Sequence, residues 1–192
     1  MKKLLLSIAL VTIVSSLYAQ NSGPAVAMNR KEMRKERHEQ KITLRKLEGK
    51  EVSTLSRHQF MIDFGNLPDV VWTREAYFDK ATFTNAKGKE MAAYYDQEGG
   101  LVGTTSHASF SDLPAVAQKE ISKHYNYYEQ APVIFFDDNE ENETDMILYG
   151  TQFDDADNYF IELADKKGKP IALRVDMNGN VSYFADMSHL KY

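Results

Sequence analysis

Hydrophobic and polar residues alternate along several short stretches of this chain, and one arrangement of such stretches occurs twice. Each copy reads as three strands joined by a Lys-Gly-Lys turn and then an Asp-x-x-Gly turn. Gly88 and Asp96 in the first copy correspond to Gly168 and Asp176 in the second, at a single offset without a gap. Glycine supplies the positive φ that tight hairpins need. The pattern predicts two antiparallel meanders related as an internal repeat.

The alternation in the first meander also predicts which face of the sheet is buried. Tyr77, Ala81 and Phe83 alternate with Lys80 and Thr82, as in a strand with one face on a core and the other in water. Tyrosine and arginine are favoured anchors of protein interfaces. On the face predicted to be open we place three candidate binding residues, which could equally be ordinary surface residues: Tyr94, Arg174 and Phe184.

A helix is predicted ahead of each meander. Ser56 is the predicted N-cap of the first helix, which carries Phe60 and Phe64 on one face and ends at Gly65. Asp112 is the predicted N-cap of a longer second helix. Its apolar stripe at helical spacing is Leu113, Val116, Ala117, Ile121, Tyr125 and Tyr128. The sequence therefore predicts an α+β fold of two tandem helix-plus-antiparallel-meander units, with the helices on one face of the sheet.

The beginning of the chain has the pattern of a signal peptide at residues 1–19. Lys2 and Lys3 precede a short apolar core, and the segment ends at Ala19 with Gln20 next. The core is too short to span a membrane with proper flanks. We expect cleavage, no stable membrane insertion afterwards, and a periplasmic or secreted mature protein.

Composition divides the remaining chain into a basic segment and an acidic domain. Residues 20–52 are predicted to be flexible or partly helical, and the stretch 29–50 has a net charge of +5. The domain is predicted at 53–192, with units at about 53–107 and 111–188. The sequence contains no cysteine, so its core folds without disulfides. Export argues against a nucleic-acid partner for the basic segment, which is interpreted as a solvated tether. For the protein as a whole, the expected partner is an envelope or extracellular protein. The oligomeric state stays open.

The order of these motifs resembles the exported beta-lactamase-inhibitor-like, PepSY-like proteins. The resemblance covers about residues 53–188 and rests on Trp72, the turn after Tyr95, the Leu-Pro-x-x-Ala helix start at Leu113, and the Asp-x-x-Gly-x-Val segment from Asp176. It implies a tandem helix-on-sheet fold in the cell envelope and no catalytic activity. The family name records a similarity of fold, so it does not imply inhibition of a β-lactamase.

The residues themselves offer little catalytic chemistry. The sequence has no cysteine nucleophile and no Gly-x-Ser-x-Gly elbow, and its five histidines are not spaced as metal ligands. Gly99-Gly100 precedes a predicted strand rather than a helix, so it is no phosphate cradle. We therefore predict a protein that is not an enzyme and has no cofactor.

An acidic insert at 137–145 lengthens the second unit relative to the first. It begins like an EF-hand loop, but Asn142 and Leu148 stand where glycine and glutamate are needed. The residues after it, from Met146 to Phe153, are predicted to add a strand.

Two functions remain open. The first is an exported binding or inhibitory module of the cell envelope, and the alternative is a small-ligand or cation-binding periplasmic protein that uses this insert.

Overall fold

The computed structural model describes residues 44–190. Within these residues lie two α-helices, α1 (Thr54–Phe64) and α2 (Ala115–His124). The ten strands in the same residues are β1 Val71–Arg74, β2 Asp79–Thr84, β3 Glu90–Tyr95, β4 Leu101–Ala108, β5 Val133–Asp138, β6 Met146–Leu148, β7 Thr151–Phe153, β8 Asn158–Ala164, β9 Pro170–Asp176 and β10 Val181–Asp186. Eight of them form one antiparallel sheet in the order β1-β2-β3-β4-β5-β8-β9-β10. The predicted α+β class is confirmed.

The N-cap of helix α1 lies three residues earlier than predicted. Ser53 is the N-cap, and its hydroxyl accepts a hydrogen bond from the Leu55 amide. Ser56, the predicted cap, is instead fully buried. Gly65 ends the helix as predicted, with a φ of 80° that favours glycine.

Helix α2 is shorter than predicted because its cap lies elsewhere. Asp112 belongs to a 3₁₀ helix (Phe110–Asp112) that precedes α2, and Pro114 occupies the N-cap position. The α-helix stops before Tyr125. The predicted phase is right for Ala117 and Ile121, which are buried, but wrong for Val116, which is 67% exposed.

Both helices pack on the same face of the eight-stranded sheet. Phe60 of α1 packs against residues of β2 and β3, and Ile121 of α2 packs against residues of β8 and β9. Directly opposed residues of antiparallel strands point to the same face. The register pairs Met91, Ser106, Phe135 and Tyr159 in one row across β3, β4, β5 and β8. The strands beneath α1 and those beneath α2 therefore present the same face of the sheet to the two helices.

The corresponding turns of the two meanders have matching hydrogen bonds. Gly88 and Gly168 share a φ of 78°, and each donates its amide to the carbonyl that starts its turn. The Asp-x-x-Gly turns each abut the first turn of a helix. A Cβ added to Gly99 would lie 2.7 Å from Leu55, and one added to Gly179 would lie 3.1 Å from Val116. Bulkier residues are therefore disfavoured at both turns by φ and by space.

The segment after the acidic insert does not extend the main sheet. Strands β6 and β7 form a separate two-stranded hairpin, so the single added strand predicted here was wrong. Met146 and Phe153 are buried against Phe136 and Phe160, which belong to the helix-free face. The hairpin therefore covers part of the face that the sequence predicted to be open.

The first described residues contact the domain ahead of its predicted start at residue 53. The Leu47 amide donates to the Ala76 carbonyl, and Arg74 donates to the Glu48 carbonyl. Leu44 packs against the cluster beneath the hairpin. The predicted signal peptide and most of the basic segment lie outside the described residues. Within residues 44–190, no helix is long and apolar enough to cross a membrane.

Candidate functional site

The three residues predicted to form an open binding face are largely covered. Tyr94 is only 5% exposed and lies in the core cluster of the helix-free face. Phe184 packs against Phe153, with ring centroids 5.6 Å apart, and Arg174 forms a 2.7 Å ion pair with Asp154. The prediction that this surface is open is therefore wrong, because the inserted hairpin and the chain after it occupy it.

The acidic insert is tied to the domain rather than free in solvent. Asp137 and Asp138 belong to β5, so the loop starts at Asn139. The Asn139 side chain donates to the Leu101 carbonyl, and the Asn142 side chain donates to Asp96. No group of three or more metal-ligating side chains is brought together within the described part of the chain. The geometry gives the cation-binding alternative no support.

A buried ion pair joins α1 to the first strands of the sheet. Asp79 is fully buried and accepts hydrogen bonds from the Arg74 guanidinium, the Ser56 hydroxyl and the Ser53 amide. Burial by itself would raise the pKa of Asp79, but the bonds from Arg74, Ser53 and Ser56 outweigh it and hold the pKa below its usual value. This network is structural, because each partner is satisfied inside the domain.

A different surface, on the helix-bearing face, presents aromatic side chains between the two helices. Ser106, Phe135 and Tyr159 oppose one another across β4, β5 and β8 and are all half-buried. At the two ends of the same row, Phe83 and Val175 are buried beneath α1 and α2. The Phe135 and Tyr159 rings lie 4.7 Å apart. We call Ser106, Phe135 and Tyr159 the inter-helix strip.

Carboxylates border the inter-helix strip on the side of the β5–β6 and β7–β8 loops. Asp137 follows Phe135 on the same face and is exposed. Asp157 precedes Tyr159 by two residues, and its carboxylate accepts a 2.9 Å hydrogen bond from the Asp138 amide. The Asp138 Oδ1 atom is buried and has no hydrogen-bond partner among the described residues.

The electrostatics of this border are those of crowded negative charge. Burial, then Asp157 and Glu140, raise the pKa of Asp137, while Lys89 opposes the shift. On the opposite face of β5, burial and the neighbouring Asp155 and Asp157 raise the pKa of Asp138 to about 6. Burial also raises the pKa of Tyr159, with Asp112 and Asp157 adding to the shift. The strip is therefore a place where added positive charge would relieve repulsion.

Half-buried aromatic rings beside carboxylates suit the binding of a cation such as a lysine or arginine side chain. The ring face attracts the cation, and the carboxylates pair with it. Sequence reasoning missed this surface because it assigned the sheet's open region to the face opposite the helices. The strand register could have shown it, since Phe135 and Tyr159 share a row that two short helices cannot cover entirely.

We expect Asp138→Asn to stabilise the domain at neutral pH. A carboxyl whose pKa is raised on folding binds its proton more tightly in the folded state. Stability therefore falls as pH rises from the usual pKa of 3.8 to about 6, and is flat above that. In the variant this fall should be absent. The free energy of unfolding of the variant, relative to that of the parent, should therefore be larger at pH 8 than at pH 4 by on the order of 1 kcal/mol, after allowance for solvent screening.

Urea unfolding at several pH values measures the effect of Asp138→Asn. Glu51→Gln, at an exposed position away from the cluster, serves as the control and should leave the pH profile unchanged. If Asp138→Asn and Glu51→Gln give the same profile, the Asp138 carboxyl is not under the repulsion that the geometry indicates.

Comparison with known proteins supports the fold but does not assign the chain to a sequence family. No protein-family model and no curated protein matches the sequence. Among solved structures, a BLIP-like protein from Bacteroides fragilis matches with a TM-score of 0.52 and 14% identity, over 73% of this chain and 90% of that one.

Two further solved structures match equally well. A DUF2874 family protein from Bacteroides ovatus has a TM-score of 0.55 and 12% identity, over 73% of this chain and 92% of that one. A protein from Bacteroides eggerthii, provisionally described as periplasmic, has a TM-score of 0.54 and 8% identity, over 72% and 91%. The chain therefore has the BLIP-like fold, and the resemblance predicted from the sequence is confirmed at that level.

Proposed function

We propose that this protein is an exported, non-enzymatic binding module that holds a basic protein partner against the inter-helix strip. The carrying observation is that half-buried Phe135 and Tyr159 pack together on the face that also holds the Asp137 carboxylate, with the Asp157 carboxylate at the adjoining strand ends. Lysine or arginine side chains of a partner would stack on the rings and pair with the carboxylates.

The charge of the whole domain favours the same kind of partner. Residues 44–190 contain fourteen Lys or Arg and twenty-five Asp or Glu, a net charge of −11. A field of one sign steers oppositely charged partners and speeds their association. The three neighbours named above are described as BLIP-like, as a DUF2874 family protein and, provisionally, as periplasmic. These descriptions agree with a binding role.

The proposal is tested by titrating the mature protein with an N-acetylated, C-amidated hexalysine peptide, followed by ¹H–¹⁵N NMR. We expect shifts centred on Phe135, Asp137 and Tyr159 that weaken as salt is added. A double variant, Phe135→Ser with Asp137→Asn, should lower the affinity about tenfold or more. Hexaglutamate should produce no such shifts.

A matched control separates this site from the general acidity of the domain. Val116→Ser with Glu120→Gln removes one exposed apolar side chain and one carboxylate from the outer face of α2. This control should bind hexalysine like the parent protein. Equal losses in the two double variants, or shifts spread over the whole surface, would contradict a specific site on the strip.

Export is part of the proposed function and has its own test. The pattern at residues 1–19 supports cleavage after Ala19, and one neighbour of this fold is provisionally described as periplasmic. Intact-mass measurement of protein from the envelope or medium should give a mature chain that begins at Gln20. Protein that retains Met1 in those fractions would contradict cleavage.

We also propose that the two meanders are an internal repeat, in which Gly88 superposes on Gly168 and Asp96 on Asp176.

A further inference from the structure

A solvent-open depression of about 580 Å³ lies beside α2. Its lining comes from α2 and from the 3₁₀ helices that precede and follow it, Phe110–Asp112 and Tyr128–Gln130. Phe110 and Tyr128 contribute a half-buried aromatic pair to it, with ring centroids 4.7 Å apart and planes inclined by 47°. Both rings pack against the core cluster beneath α2, so they are held in place. A fixed aromatic surface of this kind can receive a ligand without reorganisation.

Polar groups around the aromatic pair are oriented by their own hydrogen bonds. The Gln118 side-chain nitrogen donates to the carbonyls of Ser111 and Leu113, at 3.1 and 2.8 Å. The amide oxygen of Gln118 is therefore presented as an acceptor in a fixed direction. Ser109 donates its hydroxyl proton to Asp112, so the 3.0 Å contact between Ser109 and Ser111 requires Ser111 to be the donor. The lone pairs of the Ser111 hydroxyl remain available as acceptors.

Two opposite charges on the rim of the depression leave it without a net preference for an ion. Lys119 lies on α2 and Glu129 on the following 3₁₀ helix, and both side chains are exposed. An anion would meet Glu129, and a cation would meet Lys119. Because the rest of the lining mixes hydroxyl, amide and aromatic groups, a purely apolar ligand would leave polar groups unpaired.

We propose that this depression binds a neutral saccharide. The C–H face of a sugar ring would lie on the Phe110–Tyr128 pair, and its hydroxyls would bond to Gln118, Ser111, Lys119 and Glu129. Each sugar hydroxyl both donates and accepts, which matches a lining that offers acceptors and a donor close together. The depression is in the size range of pockets for small molecules. The site is separate in its residues from the inter-helix strip, so it stands independently of the basic-partner proposal.

The experiment titrates the mature protein with neutral disaccharides, namely N,N′-diacetylchitobiose, cellobiose, maltose and mannobiose, followed by ¹H–¹⁵N NMR into the millimolar range. We expect at least one of them to shift signals of Ser111, Gln118, Lys119 and Tyr128 together. Tyr128→Ala should weaken that binding about tenfold, through loss of the aromatic contact. Tyr127→Ala is the matched control, because its neighbouring ring is 86% exposed and lies outside the depression.

A second variant keeps the test decisive if Tyr128→Ala does not fold. Ser111→Ala with Glu129→Ala removes two exposed rim groups without touching the core and should weaken binding about tenfold. N-acetyltyrosine amide serves as an aromatic ligand that is not a sugar. Shifts with this amide alone would overturn the proposal, as would the absence of shifts with all four disaccharides. Saccharide binding that neither Tyr128→Ala nor the double variant weakens would place the ligand elsewhere and also overturn it.

Discussion

Arg74→Ala should destabilise the domain by about 3–5 kcal/mol, because it leaves a fully buried carboxylate without its cation. The Arg74 guanidinium contacts Asp79 through two nitrogens, at 2.7 and 2.8 Å. The remaining donors to Asp79 are the Ser53 amide and the Ser56 hydroxyl. Neutral hydrogen bonds of this kind do not replace a paired charge inside a protein. Urea unfolding at neutral pH measures the loss.

The loss in Arg74→Ala should depend on pH in a direction that identifies its cause. In the parent protein the pKa of Asp79 is held below its usual value, so its contribution to stability is present above pH 3.8 and disappears as pH falls through the lower folded pKa. Without Arg74, burial should raise the pKa of Asp79 instead. The variant should then gain stability on acidification, and the difference from the parent should shrink at low pH.

Arg45→Ala is the matched control for the Arg74 variant. Arg45 pairs with Glu98 at 3.4 Å, but the two side chains are 74% and 67% exposed. Exposed pairs contribute little, so the change should stay within about 0.5 kcal/mol. Replacing both partners, as in Arg74→Leu with Asp79→Leu, should recover part of the stability lost in Arg74→Ala. Equal effects of Arg74→Ala and Arg45→Ala would show that the Asp79 carboxylate is not desolvated in solution.

The turns and the class of fold could be predicted from the sequence because they depend on local chemistry. Gly88 and Gly168 mark tight turns because glycine readily adopts a positive φ. The strands that flank these turns show the alternation of apolar and polar residues directly. The helix caps were less predictable, since Ser53 and Ser56 are equally good N-cap residues in isolation. The structure selects Ser53 because Ser56 is needed as a donor to buried Asp79.

The surfaces depended on contacts between residues distant in the chain, so the sequence predicted them poorly. Asp79 falls at the same alternating positions of β2 as Ala81 and Phe83, which was a sign that its side chain points inward and requires a partner. The hairpin that covers Phe184 gave no comparable sign. Short strands such as β6 and β7 carry too little periodicity to indicate whether they extend a sheet or lie across it.

Ile121→Ala should cost about 2–5 kcal/mol, because it leaves a cavity between α2 and the sheet. Ile121 is fully buried, and it shares one cluster with Ala117 of the same helix and with Ile161 and Leu173 of the sheet. Ala117 is already small, so it cannot fill the space that the missing side-chain atoms leave. The neighbouring strands are hydrogen-bonded on both sides, which limits their collapse into the cavity.

Val116→Ala, in the same helix, provides the control for the Ile121 variant. Val116 is 67% exposed, and alanine has the higher helix propensity, so the change should lie within about 0.5 kcal/mol of zero. Thermal and urea unfolding of the two variants therefore test the phase of α2 on the sheet. Losses below about 0.5 kcal/mol for Ile121→Ala would mean that this side chain faces solvent. A large loss for Val116→Ala instead would mean that the helix is rotated about its axis relative to the sheet.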